Sequence, residues 1–97
     1  MGYKLRWSEE SVQNLDDIID DIYGKWSEKE VQQFKKKLAN LLELIISNPL
    51  LFPASIQYPD LRKAVLSKQT TVFYKIEKDR VYVSYIHLNK RDPGRIR

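Results

Sequence analysis

LRKAVLSK (61–68), QTTVFYKIEK (69–78) and DRVYVSYIHL (79–88), with NKRDPGRIR (89–97) behind them, decide the fold. Val, Ile, Tyr, Phe and Thr crowd the second and third runs, and their branched or flat side chains suit a pleated, half-buried surface. Lys78-Asp79 supplies a tight turn between those runs, and no Pro interrupts the chain from Leu61 to Asp92. The pattern predicts three strands in succession, a β-meander, closed by a short basic tail. Ten of the 17 Lys and Arg lie here (Arg62, Lys63, Lys68, Lys75, Lys78, Arg80, Lys90, Arg91, Arg95, Arg97) against Glu77, Asp79 and Asp92, so the segment is net +7.

Around this stretch, 97 residues allow one domain, 1–97, with a single modest core. Without Cys there is no disulfide framework, thiolate nucleophile or sulfur metal site, and a lone histidine, His87, argues against a zinc centre. No metal or cofactor is expected, and the reducing cytoplasm is the expected compartment. The opening MGYKLRWSEE lacks an apolar run of signal-peptide length, and no window approaches the roughly 20 apolar residues of a spanning helix, so no membrane partner is expected. A hydrophobic fraction of 42% indicates a globular rather than a disordered chain. The overall +4 conceals an asymmetry: residues 9–30 hold Glu9, Glu10, Asp16, Asp17, Asp20, Asp21, Glu28 and Glu30 against Lys25 and Lys29. A bipolar molecule of this kind steers a polyanion to one side, although two solvated faces give the same count.

Tyr3, Leu5 and Trp7 alternate with Lys4 and Arg6, the period-two pattern of a short half-buried strand. Ser8 then stands as N-cap, with Glu9 and Glu10 where the helix dipole favours acids. Val12, Leu15, Ile19, Ile22 and Trp26, widened by Ile18 and Tyr23, form the apolar stripe of a helix from about 9 to 24, closed by Gly24. Asp16 with Asp20 and Asp17 with Asp21 are like-charge neighbours on its other face, which Lys35, Lys36 and Lys37 are expected to offset. Ser27-Glu28-Lys29-Glu30 has capping-box spacing and opens a second helix, 28–47. Its stripe is Val31, Phe34, Leu38, Leu41 and Ile45, flanked by Leu42 and Ile46, and Ser47-Asn48-Pro49 ends it. A helical hairpin covering the sheet is preferred to a coiled coil, because the run is short and the sheet needs cover. PLLFPASIQYPD (49–60) reads as an ordered loop packed on the core. The expected fold is α+β in the order β-α-α-β-β-β, a four-stranded, mainly antiparallel sheet with the hairpin on one face.

Simple alternation places Val72, Tyr74 and Ile76 opposite Phe73, and Val81, Val83, Tyr85 and His87 opposite Tyr82, Ser84, Ile86 and Leu88. Both faces are therefore partly apolar, so either a partner covers the second face or a few exposed aromatics brace it. Dinucleotide, P-loop and triad chemistry all fail on residue supply. A basic, aromatic surface with one histidine remains. Lys63, Lys68, Lys75, His87, Lys90 and Arg91 suffice chemically to stabilise a pentacoordinate phosphate and move protons in metal-free RNA cleavage. The competing reading makes His87 a hydrogen-bonding structural residue at a strand end.

In order and spacing, the pieces resemble the RelE/ParE superfamily of bacterial toxins. They are Leu5 to Ser8 opening the first helix, Leu15, Ile18 and Tyr23 along it, Asn48-Pro49 followed by Phe52-Pro53, Leu61-Arg62, Tyr74-Lys75-Ile76, Val81 to Ile86, and His87-Leu88-Asn89-Lys90-Arg91-Asp92-Pro93. The resemblance spans nearly the whole chain. It implies the growth-inhibiting half of a type II toxin-antitoxin pair, of the kind that stabilises plasmids, neutralised by a cognate antitoxin whose C-terminal segment folds over it. RelE-like members cut messenger RNA in the ribosomal A site, whereas ParE-like members poison DNA gyrase. This chain has no Tyr after Tyr85, and its His-x-x-x-Arg-Asp-Pro ending resembles the ParE-like branch more closely.

On that reading, Lys68, Lys75, Lys90, Arg91 and Arg95 are expected to contact the target, and Phe73, Tyr82 and Tyr85 the antitoxin. His87 is expected to be catalytic, with Arg62 and Lys63, only if the chain is a metal-independent, ribosome-dependent endoribonuclease. The partners are then the antitoxin and either gyrase or the ribosome and its message. A non-toxic nucleic-acid-binding module also accounts for the basic meander.

Overall fold

A computed structural model of the chain describes residues 3–25 and 27–88. The elements run β1 (Lys4–Trp7), α1 (Glu9–Lys25), α2 (Glu28–Ser47), β2 (Arg62–Val65), β3 (Thr70–Glu77) and β4 (Arg80–Leu88). The fold is α+β, as the alternating and helical periodicities predict. One four-stranded sheet has the order β1-β4-β3-β2, with β1 parallel to β4 and the other pairs antiparallel. A parallel β1 needs a long crossover, and the two helices and the proline-rich loop supply it.

Both helices lay apolar side chains on the same face of the sheet. Ile18 from α1 and Leu38, Leu42 and Ile45 from α2 are buried with Ala64, Val72, Tyr74, Val81, Val83 and Ile86 of the sheet. At the centre Tyr74 is fully buried, and its hydroxyl donates to the Pro49 carbonyl at 2.6 Å, which fixes the exit from α2. Burial pushes the Tyr74 phenol up to about 12, with a smaller opposing effect from Arg62.

The N-cap at Ser8 forms as expected. Its Oγ accepts from the Ser11 amide at 2.9 Å and donates to the Ser84 carbonyl at 2.8 Å, so the same side chain starts α1 and ties it to β4. The buried stripe of α1, however, is rotated from the one drawn by apolar residues alone. Ser11 is fully buried while Val12 is 48% and Tyr23 51% exposed. Ser11 tolerates burial because its hydroxyl donates to the Ser8 carbonyl at 2.8 Å. Trp26, the last residue of the expected stripe, lies outside the described residues.

Other local expectations change in detail. α1 continues through Gly24 to Lys25 and no described glycine has positive φ, so Gly24 does not close the helix in a left-handed cap. At Ser27 the hydroxyl donates to the Glu30 carboxylate rather than accepting from an amide, and the side-chain half of the capping box is absent. Asp17 and Asp21 are relieved within their own helix: Asp21 pairs with Lys25 at 3.6 Å and Asp17 accepts from Gln13 at 2.9 Å. Lys35, Lys36 and Lys37 are exposed and form no ion pair with them. The 49–60 loop is only partly packed. Pro49 and Ser55 are buried, but Ile56 is 98% exposed, with Leu50 and Leu51 also turned outward.

This loop nevertheless covers an edge. Ala54 bridges Arg62, the Lys63 amide donates to Pro53 at 2.9 Å and the Ser55 amide to Leu61 at 2.8 Å, so the outer side of β2 is partly paired. At the other end of the meander the Lys78-Asp79 turn forms as expected. Lys78 holds φ 56, the left-handed conformation such a turn demands.

Candidate functional site

The helix-free face of the sheet is built by a β-bulge. Tyr74 pairs with Val83 but Phe73 pairs with Tyr85, which leaves Ser84 as an extra residue in β4. Simple alternation through β4 therefore fails: beyond the bulge Ile86 and Leu88 turn to the core, while Tyr85 and His87 turn to the face that Tyr82 already occupies. Paired residues share a face. Across the open face run Arg6, Tyr82 and Lys75, then Tyr85, Phe73 and Lys63, then His87 and Thr71.

Aromatic rings join these rows. Phe73 meets Tyr58 edge-on at 5.5 Å and stacks on Tyr85 at 5.7 Å, and Tyr85 leans on His87 at 5.9 Å. Tyr85 Oη lies 3.0 Å from His87 Nδ1, a hydrogen bond whose donor is set by the imidazole tautomer. Burial first, then Tyr58 and Glu10, raises the Tyr85 phenol above its ordinary 10.0. Lys75 Nζ sits 3.2 Å from Glu77 and 5.4 Å from the centre of the Tyr82 ring, a cation held by a carboxylate and a π-face together.

The residues singled out by sequence divide accordingly. His87, Lys63, Lys75, Tyr82 and Tyr85 share the open face, and Lys68 lies exposed in the β2–β3 connection, at the end of the sheet where Thr71 pairs with His87. Phe73 is on that face but 6% exposed, shielded by Tyr58 and Tyr85, so it supports the surface without forming much of it. Arg62 does not join the set. It pairs in register with Tyr74, whose side chain faces the helices, and its Nη1 donates to the Phe52 carbonyl, holding the 49–60 loop. Lys90, Arg91 and Arg95 lie outside the described residues. Sequence reasoning missed Tyr58 and Glu10. Tyr58 and Glu10 reach this region from a loop and from the first turn of α1, which no local pattern links to the meander. Among the described residues no helix is long and apolar enough to cross a membrane.

The sequence profile of the ParE toxin of the type II toxin-antitoxin system parDE matches residues 5–93. The chain belongs to this ParE toxin family. Solved structures share its fold. The chromosomal ParDE system of Pseudomonas aeruginosa superposes with a TM-score of 0.76 at 11% identity, covering 91% of this chain and 97% of that one. The toxin-antitoxin complex DinJ-YafQ of Escherichia coli gives 0.63 at 14% identity over 91% and 93%. The isolated RelE toxin of E. coli gives 0.54 at 22% identity over 95% and 89%. No curated protein matches in sequence. This chain is thus a type II toxin of the RelE/ParE superfamily.

Proposed function

We propose that this ParE-family chain arrests growth by poisoning DNA gyrase and is silenced by a cognate antitoxin laid over the open sheet face. The observation that carries the reading is the profile match over residues 5–93. The geometry supports it. A phosphoryl-transfer site needs unengaged cations converging on one point, and here Arg62 is committed to the Phe52 carbonyl and Lys75 to Glu77 and Tyr82. The antitoxin reading is supported by the half-exposed rings of Tyr82 and Tyr85, and by the solved complexes in which relatives of this fold sit with antitoxins. A cytoplasmic location follows from either target.

One contact favours ribosome-dependent RNA cleavage as the second reading. The Tyr85–His87 hydrogen bond puts two proton-transfer groups side by side on a face that also carries Lys63. Inducing the chain without the product of its neighbouring reading frame separates the readings. Gyrase poisoning gives DNA breaks and filamentous cells, cleavage gives codon-positioned cuts in translated messages, and a bare nucleic-acid-binding module leaves growth unchanged. Replacing Lys90, Arg91 and Arg95 together by Ala leaves, on the proposed reading, a folded protein that still binds antitoxin and no longer arrests growth. His87→Ala abolishes activity only on the second.

A further inference from the structure

Beside the ring stack a cleft of about 340 Å³ opens between Glu10, Tyr58, Leu61, Ser84 and Tyr85. Two phenol rings, each packed on Phe73, form part of its wall, and the Glu10 carboxylate lies close enough to Tyr85 to disfavour phenolate there. Among the described residues no basic side chain lines it. The same sheet face already shows what such a pair of groups holds: Glu77 and the Tyr82 ring together grip the Lys75 ammonium, at 3.2 Å and 5.4 Å. At Glu10 the corresponding carboxylate and rings come together from α1, the 49–60 loop and β4. A carboxylate beside π-faces attracts an ammonium or, better, a planar guanidinium, which stacks on a ring while it donates to the oxygens. A phosphate is repelled by the same carboxylate, which makes this corner unlike the Lys63, Lys75 and Arg6 surface around it.

We propose that the Glu10–Tyr58–Tyr85 cleft receives an arginine or lysine side chain from the protein that covers this face. The assignment of that protein as the antitoxin rests on the proposed function; the chemistry of the cleft does not. The anchor fixes register. An antitoxin segment that is mainly apolar and acidic, to suit the Tyr82 ring and the surrounding lysines, places a single cation at this corner.

The test uses the whole chain and Nα-acetyl-arginine amide, followed by NMR. The expected result is a saturable shift confined to residues around Glu10, Tyr58 and Tyr85, about fivefold weaker in Glu10→Gln, with no response to Nα-acetyl-leucine amide. Tyr58→Leu, a loop substitution, weakens it likewise and serves as the second variant. An equal response to the leucine probe makes the cleft merely apolar and overturns the proposal; so does unchanged affinity in Glu10→Gln, and so does preferential binding of guanosine monophosphate, which makes it a nucleobase site. In parallel, the product of the neighbouring reading frame is titrated against wild type and Glu10→Gln, with about fivefold weaker binding expected. A chain that arrests growth but ignores the arginine probe loses the cleft and keeps the toxin. One that takes the probe but binds the neighbouring product equally well in wild type and Glu10→Gln loses the assignment of this partner.

Discussion

The backbone amide of Ile86 donates to Asn14 Oδ1 at 2.9 Å, across 72 positions of sequence. β1 stops at Trp7, opposite Val83, so the second half of β4 has no strand on that side. α1 completes the edge instead: the Ser8 amide donates to Val83 at 2.9 Å, the Ser8 hydroxyl to Ser84, and Asn14 takes the next free amide. A helix thus closes a sheet edge and holds the bulge that aims Tyr85 and His87. Asn14→Ala leaves a buried amide unpaired and is expected to cost about 1–3 kcal/mol in urea denaturation. Asn14→Asp, which retains an acceptor, is expected to recover most of that loss. Equal losses in the two variants would show that side-chain volume, not the hydrogen bond, matters here.

Tyr74 predicts an alkaline limit. Its phenol is raised from 10.0 to about 12, so the folded state holds the proton more tightly than the unfolded state. The stability this contributes is complete below pH 10 and is lost as the pH rises toward 12. Tyr74→Phe removes the hydrogen bond to Pro49, costs about 0.5–1.5 kcal/mol at neutral pH, and shows a shallower decline over the same window. Denaturation midpoints of the two proteins at matched pH values give the comparison. Parallel curves would mean that other groups set the limit.

Gly24 offers a gain. It lies in the last turn of α1 with ordinary negative φ, and a Cβ added there meets nothing within 4 Å. Gly24→Ala therefore relieves unfolded-state entropy without strain, and a rise of about 0.4–1 kcal/mol is expected in thermal or urea unfolding. A loss would show that the turn into α2 needs glycine after all.

These sites also show what a sequence can disclose. The order of elements was legible because Val31, Leu38, Leu42 and Ile45 recur at helical spacing and Val72, Tyr74 and Ile76 at strand spacing, each a consequence of local geometry. The face on which Tyr85 and His87 stand was not legible. A bulge at Ser84 reverses every side chain beyond it, and its anchor is the Ser8 hydroxyl, 76 residues away. The rotation of α1 escaped for a related reason, since Ser11 and Asn14 are polar and a stripe drawn through apolar residues alone leaves them out. The available signal was their spacing with Leu15 and Ile18 on one helical face. Arg62 was counted as a functional cation because composition registers charge, not the carbonyl that the guanidinium meets.

Arg62 and Lys63 are neighbours in sequence with opposite expected roles, and together they separate folding from toxicity. Arg62 pairs with Tyr74 and donates to Phe52 from within the partly buried rim of the sheet; Lys63 pairs with Phe73 and is exposed on the open face. A hydrogen bond from a charged donor contributes about 1.5–3 kcal/mol, so Arg62→Ala is expected to lose stability in that range and to loosen the 49–60 loop. Amide exchange at Ser55 and Lys63, whose protons are held by that loop's pairing, should rise with it. Lys63→Ala touches no such contact, and its stability should remain within about 0.5 kcal/mol of wild type. Growth arrest separates the two once expression is matched: on the RNA-cleavage reading Lys63→Ala weakens it at unchanged stability and on the gyrase reading leaves it intact, while Arg62→Ala on either reading weakens it only as far as the folded fraction falls. A stable Arg62→Ala protein with no toxicity would return the guanidinium to the contact surface and displace the loop-holding role argued for it.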